Sequence, residues 1–143
     1  MKVCSLFCGI GGIDLAFEKA GHEIVWANDN DKFACMTYRH NFPNTNLVEA
    51  DIRSVDKSDI PDCDIVTAGF PCQPFSVCGK QKGFNDNRGN LFFEVGKVID
   101  VKHPRIVFLE NVANLTEHDN GKTFNVIHNE LAGRGYYIRY IIA

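Results

Sequence analysis

The feature that most constrains the fold is a regular alternation of apolar, strand-like segments with amphipathic, helix-like segments. The predicted strands cover residues 2–7, 23–28, 46–51, 64–69, 105–110 and 136–143. The predicted helices cover residues 13–21, 31–42, 91–103 and 122–135. Such alternation is typical of a doubly wound α/β sheet with mostly parallel strands. Because residues 105–110 are almost continuously apolar, we also expect that strand to be covered on both faces.

Glycines and polar residues follow the predicted strands at their carboxyl ends. In order along the chain these are Gly9, Gly11, Gly12, Asp29, Asp51, Pro71, Cys72, Glu110 and Asn111. In open parallel sheets, ligands bind beyond the carboxyl ends of the strands, near the point where the strand order reverses. The sequence therefore predicts one binding and catalytic edge that gathers these residues.

The turn FCGIGG, residues 7–12, joins the first predicted strand to the first predicted helix. Its glycines permit a tight turn and close approach of the backbone to a ligand. Asp29 ends the next strand, where a carboxylate can accept both ribose hydroxyls of a nucleoside. The spacing G-x-G-G departs from the dinucleotide pattern G-x-G-x-x-G, which favours S-adenosylmethionine over a nicotinamide cofactor. The alternatives are a turn without a ligand and an aspartate that caps the next helix.

The stretch GFPCQPFS, residues 69–76, holds Cys72 between two prolines. Each proline fixes its own φ and disfavours helix at the residue before it, so the thiol sits on a stiff segment. A positioned, accessible thiol is a candidate nucleophile; the alternative is a turn cysteine without a chemical role. The other five cysteines are interpreted as reduced thiols, and the absence of a C-x-x-C pair disfavours a metal site.

Glu110 ends an apolar strand and begins the tripeptide ENV. We expect desolvation there to favour the protonated form of its carboxyl, which can donate a hydrogen bond as a general acid. The alternative is a surface or capping glutamate.

Length and charge restrict the remaining classes of function. The 143 residues predict a single domain, and a net charge of −3 excludes a uniformly basic nucleic-acid binder. Residues 76–90 nevertheless predict a local cationic patch, because they contain Lys80, Lys82 and Arg88 but only one acidic residue, Asp86. We find neither an apolar window long enough to span a bilayer nor a signal peptide, so a cytoplasmic location without membrane contact is expected.

Six motifs then occur in a fixed order along the chain. They are SLFCGIGG, WANDND, EADI, GFPCQPFS, RGNLFFEV and FLENV. In this order they resemble the N-terminal catalytic part of the cytosine-5 DNA methyltransferases. The resemblance implies a Rossmann-like, S-adenosylmethionine-dependent methyltransferase domain over residues 1–143. It also implies transfer of a methyl group to C5 of a cytosine flipped out of double-stranded DNA.

The same resemblance implies roles for individual residues. Cys72 would attack C6 of the cytosine, and Glu110 would bond N3 and the exocyclic amine. Implied cofactor contacts are Phe7, Gly9, Ile10, Gly11, Gly12, Asp29, Asn30, Asp51, Ile52, Pro71 and Leu91. Implied DNA contacts are Gln73, Ser76, Lys80, Lys82 and Arg88, on a mobile loop that closes over the DNA. Asn30 departs from the family pattern, in which an aromatic residue often stacks on adenine.

The family pattern continues with a Gln-x-Arg-x-Arg segment and a target-recognition domain, and the 143 residues contain neither. We therefore expect a truncated methyltransferase domain that needs the missing part or a partner subunit that supplies it. The alternatives are a tRNA cytosine-5 methyltransferase, an inactive cofactor-binding fragment and, less well supported, a nicotinamide oxidoreductase.

Overall fold

A computed structural model describes residues 1–70 and 91–142 and contains one sheet with helices on both sides. The strands are β1 (Lys2–Leu6), β2 (Glu23–Asp29), β3 (Asn46–Glu49), β4 (Ile65–Gly69) and β5 (Ile106–Glu110). The helices are α1 (Gly12–Lys19), α2 (Lys32–Asn41), α3 (Leu91–Lys102) and α4 (Lys122–Gly133). Among the described residues, 3-10 turns cover Ile52–Ser54, Lys57–Asp59 and Ala113–Thr116.

The strand order is β3-β2-β1-β4-β5, and every described strand pair is parallel. The chain runs outward from β1 to β3 and then returns to β4 on the other side of β1. The order therefore reverses between β1 and β4, and this is where such sheets bind ligands. The predicted parallel α/β sheet is confirmed.

The core lies between the central strands and α3. Four of the five residues of β1 and four of the five of β4 are buried. Helix α3 buries Phe92, Val95, Val98 and Ile99, which recur at helical spacing and pack in one cluster with Val66 of β4. This packing fixes where α3 begins, and its first residue, Leu91, faces the carboxyl edge of the sheet.

Strand β5 does not have the predicted burial on both faces. Ile106 is 44% and Phe108 is 42% exposed. Within the described residues β5 pairs only with β4, so it is an edge strand. An apolar run shows that a strand can be buried, but its neighbours determine whether it is.

The predicted strand over residues 136–143 is also wrong in its described part, residues 136–142, which form no regular element. Tyr137 and Ile141 are 86% and 90% exposed. A β-branched and aromatic sequence becomes a strand only beside a partner strand, because the ladder satisfies its backbone groups. In the described part of the chain no strand pairs with this segment.

The turn between β1 and α1 uses left-handed backbone conformations. Phe7, Gly9 and Gly11 have φ angles of 54°, 55° and 93°. A Cβ atom at Gly11 would overlap the ring of Phe42, which lies directly after α2. Glycine is therefore required at residue 11 for its conformation and for its lack of a side chain.

Replacing Gly11 with alanine should lower the free energy of unfolding by about 2–4 kcal/mol, from left-handed strain and overpacking. Gly12→Ala is the matched control, because a Cβ there meets no atom within 4 Å. Urea denaturation of both variants measures the difference. Equal stability of the two would show that the Phe42 ring yields and that the turn is not constrained at residue 11.

A buried ion pair joins the 3-10 turns to α3. The Nζ atom of Lys57 lies 3.1 Å from Oε2 of Glu94, and the two side chains are 11% and 4% exposed. Lys57 also donates to the carbonyl oxygens of Ile52 and Val55. Burial raises the pKa of Glu94, but hydrogen bonds from Lys97 and Lys57 outweigh it, so the pKa lies below the usual 4.5. The pair thus holds Ile52 at a fixed position relative to α3.

We expect Lys57→Met to lower the free energy of unfolding by about 1–3 kcal/mol near neutral pH. Lys122→Met, which removes an ion pair with Asp119 whose side chains are 72% and 45% exposed, is the control and should change it by about 0.5 kcal/mol or less. Because the folded pKa of Glu94 is depressed, its contribution is present above pH 4.5 and is lost as the pH falls. The difference between wild type and Lys57→Met should therefore shrink in urea titrations at acidic pH. A difference that grows on acidification would contradict this assignment.

Candidate active site

An open pocket lies at the carboxyl ends of β1, β2 and β3, against the start of α3. Its lining residues are Phe7, Asn28, Asn30, Ala50, Asp51, Ile52, Arg53 and Leu91. Five of them are among the predicted cofactor contacts: Phe7, Asn30, Asp51, Ile52 and Leu91. The structure therefore brings together, from four separate elements, residues that lie far apart in sequence.

Asp51 presents a carboxylate in this pocket. It caps the 3-10 turn by accepting from the backbone N–H of Arg53, and the Arg53 guanidinium bonds both of its oxygens. These side-chain and backbone hydrogen bonds from Arg53 lower the pKa of Asp51 to about 2. Asp51 is thus a hydrogen-bond acceptor at all physiological pH values.

Asp29, the last residue of β2, accepts hydrogen bonds from two backbone N–H groups. Its Oδ2 accepts from the backbone N–H of Gly9 at 2.8 Å, and its Oδ1 accepts from the N–H of Asp31 at 2.9 Å. Asp29 therefore fixes the glycine turn against the end of β2, while Asp31 caps α2 through Ala34. A carboxylate oxygen accepts more than one hydrogen bond, so each oxygen retains capacity for a ribose hydroxyl.

The remaining predicted residues of the turn lie beside the pocket lining. Gly9, Gly11 and Gly12 form the backbone of the turn, and Ile10 is 59% exposed at its tip. Gly9 is half-buried and Gly12 is exposed, whereas Gly11 is buried, so a ligand across the turn would contact Gly9, Ile10 and Gly12.

Three of the lining residues, Asn28, Ala50 and Arg53, were not predicted from the sequence. Arg53 was not predicted, although a cation two residues after Asp51 is a signal for the observed pair. Asn28 is 1% exposed and donates from Nδ2 to the carbonyl oxygens of Val48 and Ala50, at 2.9 and 2.8 Å. It joins the ends of β2 and β3, and its signal was a polar residue inside an otherwise apolar strand.

Glu110 ends β5 directly opposite Gly69, the last residue of β4. A Cβ built at Gly69 would lie 3.5 Å from Oε2 of Glu110, so the acid lies close against the end of β4. Its side chain is exposed in the structure, which corrects the expectation that it is desolvated. The physical reason is the position of β5 at the sheet edge, where the described residues do not cover its end.

Asn111 connects the ends of β4 and β5. Its Nδ2 donates to the carbonyl oxygen of Phe70 at 2.7 Å. Phe70 is 5% exposed and packs on Phe92 with a centroid distance of 5.6 Å. These contacts fix Phe70, the residue directly before Pro71, beside the acid.

Several predicted residues lie outside the described part of the chain. They are the predicted nucleophile Cys72, the predicted cofactor contact Pro71, and the predicted DNA contacts Gln73, Ser76, Lys80, Lys82 and Arg88. The predicted DNA-closing loop, residues 76–90, lies outside it as well.

The chemistry of the pocket fits a nucleoside. Phe7, Ile52 and Leu91 supply apolar surface for a base, and the Asp51 carboxylate supplies an acceptor. Within residues 1–70 and 91–142, no group of three or more histidine, cysteine, aspartate or glutamate side chains could hold a metal ion. The described helices include none with the length and apolar character needed to cross a membrane.

Comparison with known proteins gives the family. The family model for C-5 cytosine-specific DNA methylases matches residues 1–143. The chain is 51% identical over 142 residues to the type II methyltransferase M.Bsp6I of Bacillus sp. (strain RFL6), covering 98% of the chain and 45% of that protein. It is 47% identical over 131 residues to the type II methyltransferase M.HhaI of Haemophilus parahaemolyticus, covering 92% and 39%.

A solved structure supports the same assignment. The fold is similar to that of a mutant of DNMT2 from Spodoptera frugiperda, with a TM-score of 0.67 and 31% identity. The similarity covers 92% of this chain and 40% of that one. The chain thus spans less than half the length of these relatives, and enzymes of their family depend on S-adenosylmethionine. Its motifs, its parallel sheet and the family-model match over residues 1–143 together show that the chain belongs to the C-5 cytosine-specific DNA methylase family.

Proposed function

We propose that this chain is the cofactor-binding and catalytic part of an enzyme that methylates C5 of cytosine in DNA. The observation that carries the proposal is the arrangement along one sheet edge. The open pocket lies over β1–β3, while Glu110 and the Asn111–Phe70 contact lie at the ends of β5 and β4. A cofactor and a reacting base would therefore meet near the switch point between β1 and β4.

For cofactor binding we propose the residues that line or border the pocket. The apolar surface of Phe7, Ile52 and Leu91 would hold adenine, and Asp51 would accept a hydrogen bond from the ligand. Asp29 and the glycine turn would hold the ribose and the amino-acid end, with Pro71 completing the site. When bound, S-adenosylmethionine supplies a methyl group activated by a positive sulfonium. Asn30 offers an amide in place of an aromatic ring, so adenine binding would depend more on the other walls.

For the chemistry we propose that Cys72, as a thiolate, forms a bond to C6 of cytosine. The electron pair of the C5–C6 double bond then moves toward C5 and N3 and makes C5 nucleophilic. Once a bound cytosine covers its carboxyl, Glu110 would take the protonated form, donate to N3 and bond the exocyclic amine, which stabilises the developing negative charge. As C5 takes the methyl group, the cofactor would be left as a neutral thioether. Loss of the C5 proton to a base would then break the Cys72–C6 bond, which restores the ring and the thiolate.

A base stacked inside a duplex is inaccessible to a protein thiol, so the target cytosine would have to leave the duplex. The cations Lys80, Lys82 and Arg88, together with Gln73 and Ser76, are the proposed DNA contacts. Activity on DNA is also proposed to require further polypeptide, contiguous or as a complementary subunit, because the relatives named are more than twice as long. Robust methylation by the 143-residue chain alone would refute that requirement.

The covalent step is tested with DNA that contains 5-fluorocytosine, in which the fluorine at C5 blocks release of the thiol. We expect a stable protein–DNA adduct with wild type and none with Cys72→Ala, because only the thiol attacks C6. Glu110→Gln should slow adduct formation by roughly 10²–10³-fold, the usual cost of losing one charge-stabilising group. The assay uses the longest polypeptide in which the chain occurs, with denaturing gel electrophoresis as the readout.

Cys78→Ala is the matched thiol control and should trap DNA as wild type does. Adduct formation by Cys72→Ala would contradict the assignment of the nucleophile. Parallel assays with tRNA in place of DNA distinguish the RNA-modifying alternative, which predicts transfer to tRNA and none to duplex DNA.

The pocket is tested by the affinity for S-adenosylmethionine, measured by calorimetry. Asp51→Asn should weaken binding by roughly tenfold, the cost of one charged hydrogen bond. Asp56→Asn is the control, because Asp56 caps the next 3-10 turn in the same way, through the N–H of Ser58 at 2.9 Å, away from the pocket. Equal affinities of the two variants would remove Asp51 from the proposed cofactor site.

A further inference from the structure

A carboxyl group outside the proposed cofactor contacts is buried beneath the glycine turn. Asp14, in the first turn of α1, has no exposed surface. Ser5 donates from Oγ to its Oδ1 at 2.6 Å, and Tyr38 donates from its hydroxyl to Oδ2 at 2.6 Å. Ser5 and Tyr38 are themselves 2% and 0% exposed. A buried carboxyl is costly, so its presence calls for a reason other than packing.

The cluster formed by Ser5, Asp14 and Tyr38 lies next to both ends of the turn. Ser5 in β1 precedes Phe7 by two residues, and Asp14 follows Gly12 by two residues. The Ser5–Asp14 hydrogen bond therefore closes the base of the turn, residues 7–12, across the chain. Tyr38 comes from α2, so its bond to the other carboxyl oxygen attaches a third element to the same point.

The turn needs such restraint because three of its residues have left-handed backbone. The backbone conformation of Phe7 is the least favourable of the three, since a bulky residue rarely adopts a φ of 54°. Strained conformations persist only when the surrounding structure fixes them. Phe7 also lines the pocket, so its conformation determines the shape of the proposed adenine site.

Helix α2 supports the turn at two further points. The Phe42 ring occupies the space beside Gly11 and stacks on Tyr38 with a centroid distance of 4.6 Å. Asn41 donates from Nδ2 to the carbonyl oxygen of Ile10 at 3.3 Å. Tyr38 is thus the residue through which α2 contacts both Asp14 and the ring that packs on the turn.

The electrostatics of Asp14 agree with a restraining role. Desolvation raises the pKa of its carboxyl, and the hydrogen bonds from the Ser5 and Tyr38 hydroxyls oppose that rise. The two hydroxyls each occupy a different carboxyl oxygen, so the carboxyl orients both donors. An apolar residue of the same size could fill the space but could not join the three elements.

We propose that Asp14, with the hydroxyls of Ser5 and Tyr38, forms a positioning cluster that holds the turn of residues 7–12 in its ligand-binding conformation before the cofactor arrives. This inference rests on the proposed function, because the ligand is S-adenosylmethionine. A preformed turn reduces the ordering cost of binding, so the cluster acts on cofactor affinity without touching the cofactor.

The test compares Tyr38→Phe with Tyr136→Phe in the full chain. Both substitutions remove one hydroxyl, and Tyr136 is the matched control because it donates to the Pro104 carbonyl at 2.6 Å, away from the turn. The first readout is amide hydrogen exchange without ligand at Cys8, Gly9 and Gly11, whose N–H groups bond Asn28, Asp29 and Cys8. We expect exchange there to be roughly tenfold faster in Tyr38→Phe, with amides of β1 and β4 much less changed.

The second readout is the dissociation constant for S-adenosylmethionine, which should rise roughly tenfold in Tyr38→Phe and stay unchanged in Tyr136→Phe. A purely structural role would lower the stability of both variants without this local and ligand-specific effect. Exchange at the turn that matches the Tyr136→Phe variant would overturn the proposal.

Two outcomes call for a second measurement. If Tyr38→Phe fails to fold, Ser5→Ala removes the other donor and is judged by the same exchange readout. If wild type binds no S-adenosylmethionine, the proposed function fails, while exchange in the ligand-free chain still decides whether the cluster holds the turn.

Discussion

The pairing of β1 with β4 is the constraint on which the rest of the structure depends. Because the chain crosses from β3 back to β4, the turn after β1 and the end of β4 lie side by side. The pocket is then confined to one side of this boundary and Glu110 to the other. Parallel pairing makes this possible, since all carboxyl ends meet at one edge.

Polar contacts, more than apolar packing, determine the shape of that edge. Asn28 joins β2 to β3, Asp29 holds Gly9, and Asn111 holds Phe70. Each of these side chains bonds backbone atoms near the end of a neighbouring strand. A buried or half-buried hydrogen bond is costly to leave unmade, so these contacts specify one arrangement where apolar packing alone would allow several.

The sequence predicted the elements and their edge, and the limits of prediction have physical causes. Periodicity identified α3 and the core strands because their burial follows from residues within each element. It failed at Phe108 and Tyr137, whose exposure depends on which elements lie nearby. The motifs predicted Phe7, Asp51 and Leu91, which do meet in one pocket. Arg53 and the Asp14 cluster were missed, because the sequence does not show which polar residues contact each other in the folded chain.

The register between β4 and β5 also restricts how such a chain can change. Alternate residues of a strand face opposite sides of the sheet, so Glu110 shares a side with Phe108 and Ile106. Inserting or deleting one residue between Ile106 and Glu110 would turn the acid to the opposite side, away from its present position beside the end of β4. A change in the length of this five-residue strand is therefore excluded, because it would reverse the side of the sheet on which Glu110 lies.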